Sequence, residues 1–209
     1  MHPVPRRLVV AEPLESRTFL HGDFAFLTSR GTLVLVGTPG NDSFVVQFGS
    51  ENDLQVIHDG ITEDFVPAEV LRVYFDGGTG NDSVQLDWNV RSTMLGGDGD
   101  DTLIGGSRQD SLIGGSGRDL LIGNVGNDTL RGEGGGDKLY GRGGSDSLDG
   151  GAGKDLLNGG IGADFLNGGR DNDRLFSDIG SDSIFGGSGN DTLTLGSGEP
   201  LSDGVENFD

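Results

Sequence analysis

Gly96-Gly97-Asp98-Gly99-Asp100-Asp101-Thr102-Leu103-Ile104 is the first of eleven nine-residue units that run without insertion or deletion from 96 to 194. The sixth place is always Asp: Asp101, Asp110, Asp119, Asp128, Asp137, Asp146, Asp155, Asp164, Asp173, Asp182 and Asp191. The eighth place is always apolar, Leu in ten units and Ile184 in the other. A fixed short period marks a solenoid, in which each unit buries its apolar side chain only by stacking on its neighbours. Ten of the eleven units begin with Gly, and nine have Gly at the fourth place. Gly enters positive φ without a Cβ penalty, so the first six places read as a turn with its carbonyls facing outward. The last three places alternate polar, apolar, variable, which is a short strand with one side chain facing inward. Turn and strand, taken twice, wind one coil, and units i and i+2 then stack about 4.8 Å apart.

Each stacked pair brings two sixth-place carboxylates and several turn carbonyls into one small space. Two carboxylates that close do not both ionise unaided. Calcium, which takes six to eight carboxylate and carbonyl oxygens in tolerant geometry, resolves the conflict. Magnesium demands a tighter octahedron, and softer metals want His or Cys. The chain has no Cys, and His2, His21 and His58 all lie outside the array. One Leu or Ile per nine residues is a thin core for so Gly-rich a segment. Folding is therefore expected to be coupled to calcium. If every stacked pair forms a site, the array holds about nine ions.

These residues resemble the calcium-binding nonapeptide Gly-Gly-x-Gly-x-Asp-x-apolar-x of the repeats-in-toxin (hemolysin-type) family, over nearly half the chain. The resemblance implies an all-β fold, a parallel β-roll or right-handed β-solenoid with two nonapeptides per coil. It implies calcium between stacked turns, held by the sixth-place Asp side chains. It also implies turn carbonyls as ligands, among them Gly96, Gly97, Gly99, Gly114, Gly115, Gly117, Gly150, Gly151, Gly153, Gly159, Gly160 and Gly162. Members of the family are secreted unfolded and fold in calcium-rich medium, so a secreted, extracellular or cell-surface protein is expected. Several units depart from the motif. Arg108 and Asp171 replace the fourth-place Gly, Ser177 replaces the first, and Asn124, Glu133, Arg142 and Asp178 replace the second. Sites built on the Arg108 turn are expected to be weak or empty, through strain and added positive charge.

The formal net charge is −20, spread along the whole chain. Such a surface repels nucleic acid and anionic membranes and favours cations. Zero Cys excludes a disulfide framework, and no stretch approaches the apolar length of a membrane span. Residues 1–23 read as a leader, disordered or acting in sorting. Arg6-Arg7 precedes an apolar run too short for a normal signal peptide. Leu14-Glu15-Ser16-Arg17-Thr18-Phe19-Leu20 resembles the Leu-Glu-Pro-Arg-x-Leu-Leu sorting element of planctomycete surface proteins, with Ser16 and Phe19 departing from it.

Residues 24–95 read as a β-solenoid cap with strands at Thr32–Val36, Ser43–Phe48, Leu54–His58, 70–75 and Ser83–Leu86. Phe44, Phe48, Val73, Phe75 and Trp88 are expected to build its core. Two isolated motif copies lie inside, at 37–44 with Asp42 and at 77–84 with Asp82. Gly77 precedes Gly96 by 19 residues, one coil plus one, so Asp82 is expected to share a calcium with Asp101. Asp42 has no neighbour at coil spacing and reads as a plain turn. Residues 195–209 read as a short C-terminal cap, with Val205 and Phe208 covering the last coil. The chain has no His-Glu-x-x-His motif and no Gly-x-Ser-x-Gly elbow. It reads as a structural or secretion-folding module, not an enzyme. The alternatives are an adhesin, or a polysaccharide-acting lyase or epimerase with a carboxylate cluster in 24–95. A cell-surface or matrix polysaccharide is the partner those alternatives imply.

Overall fold

The computed structural model describes residues 10–11, 24–49, 53–58, 60–196 and 205–206. Among these residues the regular structure is short strands and one 3-10 turn, Pro67–Glu69, so the all-β expectation holds. The strands form two sheets. In spatial order the first runs through Val10–Ala11, Ala25–Thr28, Thr32–Val36, Arg72–Thr79, Arg91–Asp98, Ser111–Gly117, Thr129–Gly135, Ser147–Ala152, Phe165–Arg170, Ser183–Ser188 and Val205–Glu206. The second runs through Ile61–Phe65, Leu54–His58, Ser43–Phe48, Ser83–Leu86, Thr102–Ile104, Leu120–Val125, Lys138–Gly143, Leu156–Ile161, Arg174–Ser177 and Thr192–Leu195. From Ser83 to Leu195 the chain alternates between sheets, and each strand pairs in parallel with the one a full coil away. No helix among the described residues is long and apolar enough to cross a membrane.

The register is that of two nonapeptides per coil. Leu103 lies beside Leu121, Leu121 beside Leu139, Leu139 beside Leu157, and Leu157 beside Leu175. On the facing sheet Leu112, Leu130, Leu148, Leu166 and Ile184 stack in the same way. All ten are essentially excluded from solvent and meet in one core between the sheets. Leu193, on the last coil, is only partly buried. The ninth-place residues Ile104, Ile113 and Ile122 face outward and are half-buried, so they shield the ladder without joining the core.

Both inward ladders continue towards the N-terminus with longer steps. Met94 stacks on Phe75 and Phe75 on Leu35, while Leu103 stacks on Val84 and Val84 on Phe44. Here the core widens to include Phe24, Leu33, Leu54 and Val56. Such a wide first coil closes the end of a solenoid that would otherwise expose apolar side chains. Phe44, Val73 and Phe75 are buried as expected. Phe48 is not: it is 46% exposed and meets Trp88 edge-on, while Trp88 itself is partly buried against the core. The strand expected at 70–75 begins at Arg72 and extends to Thr79, with Val70 buried just before it. Leu54–His58 and Ile61–Phe65 form antiparallel extensions of the second sheet, and the second of these, rich in polar side chains, carries no clear strand period. Val10–Ala11 pairs with Leu27 and Thr28, so two residues of the expected leader are strand. At the other end Val205–Glu206 pairs with Ile184 and Phe185. The sorting-type element at 14–20, and Phe208 of the expected C-terminal cap, lie outside the described residues.

The fourth-place glycines are where the coils touch most closely. Gly135 has φ +150°, and a Cβ there would lie 1.3 Å from the Gly117 carbonyl oxygen. The second place is more tolerant, because Asn124, Glu133 and Arg142 settle at φ 73–76° in the left-handed region. At the third place Gly134 would have its Cβ 3.9 Å from the nearest atom, an ordinary contact. Gly135→Ala is therefore expected to destabilise the fold by at least ~2 kcal/mol, while Gly134→Ala stays within ~0.5 kcal/mol. Thermal unfolding of both variants under identical ionic conditions checks this, and equal midpoints would contradict the stacking geometry.

Candidate metal centre

The turns between the sheets form two rows, one along each edge of the solenoid. The first row carries Asp42, Asp82, Asp101, Asp119, Asp137, Asp155, Asp173 and Asp191, and the second carries Asp110, Asp128, Asp146, Asp164 and Asp182. All thirteen are buried, with exposures of 1–8%. Within each row one Oδ1 atom accepts the backbone N–H of the Asp one coil earlier. Asp101 N–H donates to Asp119 Oδ1 at 2.8 Å, Asp119 to Asp137 at 2.8 Å, and Asp137 to Asp155 at 2.8 Å. The second row repeats this from Asp110 to Asp128 and onward to Asp182. The same residues tie the coils through their carbonyls, as where Leu120 N–H donates to Asp101 O at 2.8 Å. The sixth place thus needs a short side chain that accepts from the neighbouring coil, and Asp provides it.

The second carboxylate oxygen is the informative one. In Asp82, Asp101, Asp119, Asp128, Asp137, Asp146, Asp155, Asp164, Asp173 and Asp191, Oδ2 is buried and has no hydrogen-bond partner. An unpaired buried carboxylate oxygen is strongly disfavoured unless a cation or proton meets it. From Asp82 to Asp173, each such oxygen points at the first-place Gly of its own unit. The position a Cβ would take on Gly96 is 2.2 Å from Asp101 Oδ2 and 2.6 Å from the Gly114 carbonyl oxygen. Gly132 repeats this with Asp137 Oδ2 at 2.3 Å and Gly150 O at 2.5 Å, and Gly141 with Asp146 Oδ2 at 2.3 Å and Gly159 O at 2.6 Å. Carboxylate and carbonyl oxygens from successive coils therefore converge beside a glycine that leaves room for them. Among the described residues no three His, Cys, Asp or Glu side chains meet at one point. Any ion here would draw most of its ligands from backbone carbonyls, and that all-oxygen set suits calcium.

Three turns are built differently. In the second unit Asp110 accepts from Ser92 N–H at 2.6 Å and, through Oδ2, from Gly106 N–H at 2.8 Å. Neither Gly106 nor Arg108 adopts the positive φ that most other units have at those places. Arg108 points away and donates from Nε to Asn89 Oδ1 at 2.8 Å, so its charge is not inside the turn. In the tenth unit Ser177 Oγ donates to Asp182 Oδ2 at 2.5 Å, and its side chain fills the space other units leave open. The third is Asp42. Its Oδ2 accepts from Thr38 N–H at 2.6 Å, as a plain turn would have it, but the residue also has a neighbour. Asp42 N–H donates to Asp82 Oδ1 at 2.8 Å, across a forty-residue step that hides it from any search at coil spacing. Buried His58 completes this end with Nε2 at 3.0 Å from Asp42 Oδ1. Asp82, in turn, donates its N–H to Asp101 Oδ1 at 2.7 Å, so the stacking expected of that pair is present. Sequence reasoning missed Thr38, His58 and the Ser177 hydroxyl. Only Ser177 left a local sign, a polar residue at a first place five positions before Asp182.

Burial raises these carboxyls above their ordinary range. Asp101, Asp110, Asp119, Asp128, Asp137, Asp146 and Asp164 are pushed up to about 6 and Asp173 to about 7, against the restraining effect of the N–H bonds they accept. Asp82 and Asp155 rise for the same reason. Neighbouring carboxylates add to the rise, as Asp119 and Asp82 do for Asp101.

Comparison with known proteins agrees with this geometry. A family model described as the RTX calcium-binding nonapeptide repeat matches residues 95–130, 131–166 and 167–199, in total half of the chain. No curated protein and no solved structure matches the chain. The chain belongs to the RTX calcium-binding nonapeptide repeat family.

Proposed function

We propose that this chain is a secreted structural module that folds around rows of calcium ions outside the cell. The observation that carries the reading is the set of ten buried Oδ2 atoms without partners, nine of them beside a first-place glycine and six of these also beside a carbonyl of the next coil. Calcium between successive coils would be held by these carboxylates with turn carbonyls such as those of Gly114, Gly150 and Gly159. It would also cancel charge that otherwise opposes the fold. The ions fall in six gaps on the first edge, from Asp82 to Asp191, and two on the second, from Asp128 to Asp164. Asp110 and Asp182 stand outside this set, because hydrogen bonds within the protein already occupy both their oxygens. Extracellular calcium modules commonly bind at about 10⁻⁴–10⁻³ M, so the roll would stay unformed at cytosolic calcium and assemble on export. Among the described residues the buried carboxylates all belong to the stacking pattern, which favours a structural role over catalysis.

Far-UV circular dichroism during calcium titration, with magnesium as control, tests the reading. A cooperative gain of β signal near millimolar calcium is expected, reversed by chelator, and a spectrum indifferent to calcium sinks it. Two substitutions test the placement of the ions. Asn keeps the Oδ1 acceptor at either site. Asp155→Asn should lower the number of bound calcium ions in calorimetry, whereas Asp182→Asn should leave it unchanged. Equal losses would show that the tenth turn binds calcium as the others do.

Proton linkage gives a further check. With folded values near 6 and an ordinary value of 3.8, the metal-free roll holds more protons than the unfolded chain between those limits. This contribution to stability is present below the lower value and is lost as pH rises through about 6. In chelator the residual β signal should thus be greater at pH 5 than at pH 7.5. In calcium the order should reverse, with affinity about tenfold weaker per carboxylate at pH 5, where protons compete. A calcium affinity independent of pH across this window would exclude these carboxylates as ligands.

A further inference from the structure

The first sheet carries a second feature, unrelated to the carboxylate rows. Where the first coils enter it, the regular turn of the second edge is missing, and an open groove of ≈1240 Å³ runs across the levels left uncovered. Four arginines line it: Arg30, Arg72, Arg91 and Arg108. In a chain of net charge −20 with fourteen basic residues, that concentration on one groove is a local reversal of sign. Register makes the four a series. Arg72 lies directly beside Arg91, Thr32 lies beside Arg72, with Arg30 in the turn just before it, and Arg108 belongs to the next coil. Each successive level of the solenoid thus supplies one guanidinium, at a rise of about 4.8 Å per level.

All four arginines are exposed. Among the described residues Arg30, Arg72 and Arg91 form no ion pair with a carboxylate. Arg108 makes a hydrogen bond to neutral Asn89. Asp110 also lines the groove, but it is buried and both its oxygens accept backbone N–H groups. Like charges side by side on neighbouring strands destabilise a sheet, so the Arg72–Arg91 pair has no structural return of its own. The rest of the lining is rich in hydroxyl and amide groups, including Thr32, Tyr74, Thr93, Ser111 and Gln109.

We propose that this groove binds a linear acidic polysaccharide, laid along the solenoid axis with its anionic groups on the arginine series. A guanidinium presents a planar fork that suits carboxylate and sulfate groups. The hydroxyl and amide lining suits sugar hydroxyls. One aromatic side chain, Tyr74, faces the groove, which offers little to the stacked bases of a nucleic acid, and the acidic remainder of the chain repels a long phosphate backbone. The inference uses the fold alone and stands apart from the calcium reading.

The test measures binding of the full, calcium-loaded chain to hyaluronate oligosaccharides, with neutral dextran and duplex DNA as comparisons. Arg72→Gln combined with Arg91→Gln is expected to weaken hyaluronate binding at least tenfold. Arg170→Gln, on the same sheet but outside the groove, should leave it unchanged. The double variant should keep the parent's far-UV spectrum and melt no lower than the parent, because it removes a like-charge contact. Unchanged affinity in the double variant, equal binding to neutral dextran, or no hyaluronate binding at low salt would each overturn the proposal. Tighter binding of DNA with the same arginine dependence would overturn it as well, by making the groove a nucleic-acid site.

Discussion

Everything in this solenoid depends on how one carboxylate divides its two oxygens. Oδ1 of each sixth-place Asp closes a backbone N–H one coil away, which pins the coils in register and buries the side chain. Burial then leaves Oδ2 without water, and a charged oxygen without water needs a partner. The feature that aligns the coils thus creates the demand for a cation. Leu and Ile in the core supply cohesion, but they would tolerate sliding along the axis. The Asp ladder is what forbids it.

The exceptional turns show that this demand can be met without metal. A backbone N–H meets it at Asp110, a serine hydroxyl at Asp182, and a threonine with a histidine at Asp42. All three lie at the limits of their rows. The N-terminal limits adjoin the wide aromatic core of Phe24, Phe44 and Phe75, where Phe24 and Phe44 also pack on the His58 ring. The first coils therefore draw on ordinary packing and hydrogen bonding, whereas the interior of the array has little besides its two files of Leu. Stability is divided along the axis between two kinds of interaction.

Much of this was legible in the chain. The unbroken period from 96 to 194 implies the coil, the register of Leu103 on Leu121 and the identity of the stacked carboxylates. The nineteen-residue offset of Gly77 from Gly96 was enough to place Asp82. What was not legible has a common cause, since contacts across an insertion carry no period. Asp42 meets Asp82 only because the excursion through Leu54–His58 and Ile61–Phe65 returns the chain to the next level. The arginine series is hidden for the same reason. The inward-facing expectation for Phe48 failed because an aromatic residue at the end of an edge-proximal strand can cover Trp88 from outside as readily as it can enter the core.

The direction of the Asp ladder bears on how such a chain changes length over generations. Every coil is joined to its predecessor by the same bonds, donated from the earlier Asp and accepted by the later one. Duplicating or deleting eighteen residues preserves each bond and both edges, so whole coils form a unit of inheritance that the fold accepts almost anywhere within the array. A nine-residue event keeps the local motif equally well but exchanges the edges for everything downstream. It would move Ser177 and Asp182 onto the longer row and set the remaining turns against partners of the other kind. Counted in nonapeptides the sequence is uniform, yet counted in heritable steps its grain is twice as coarse.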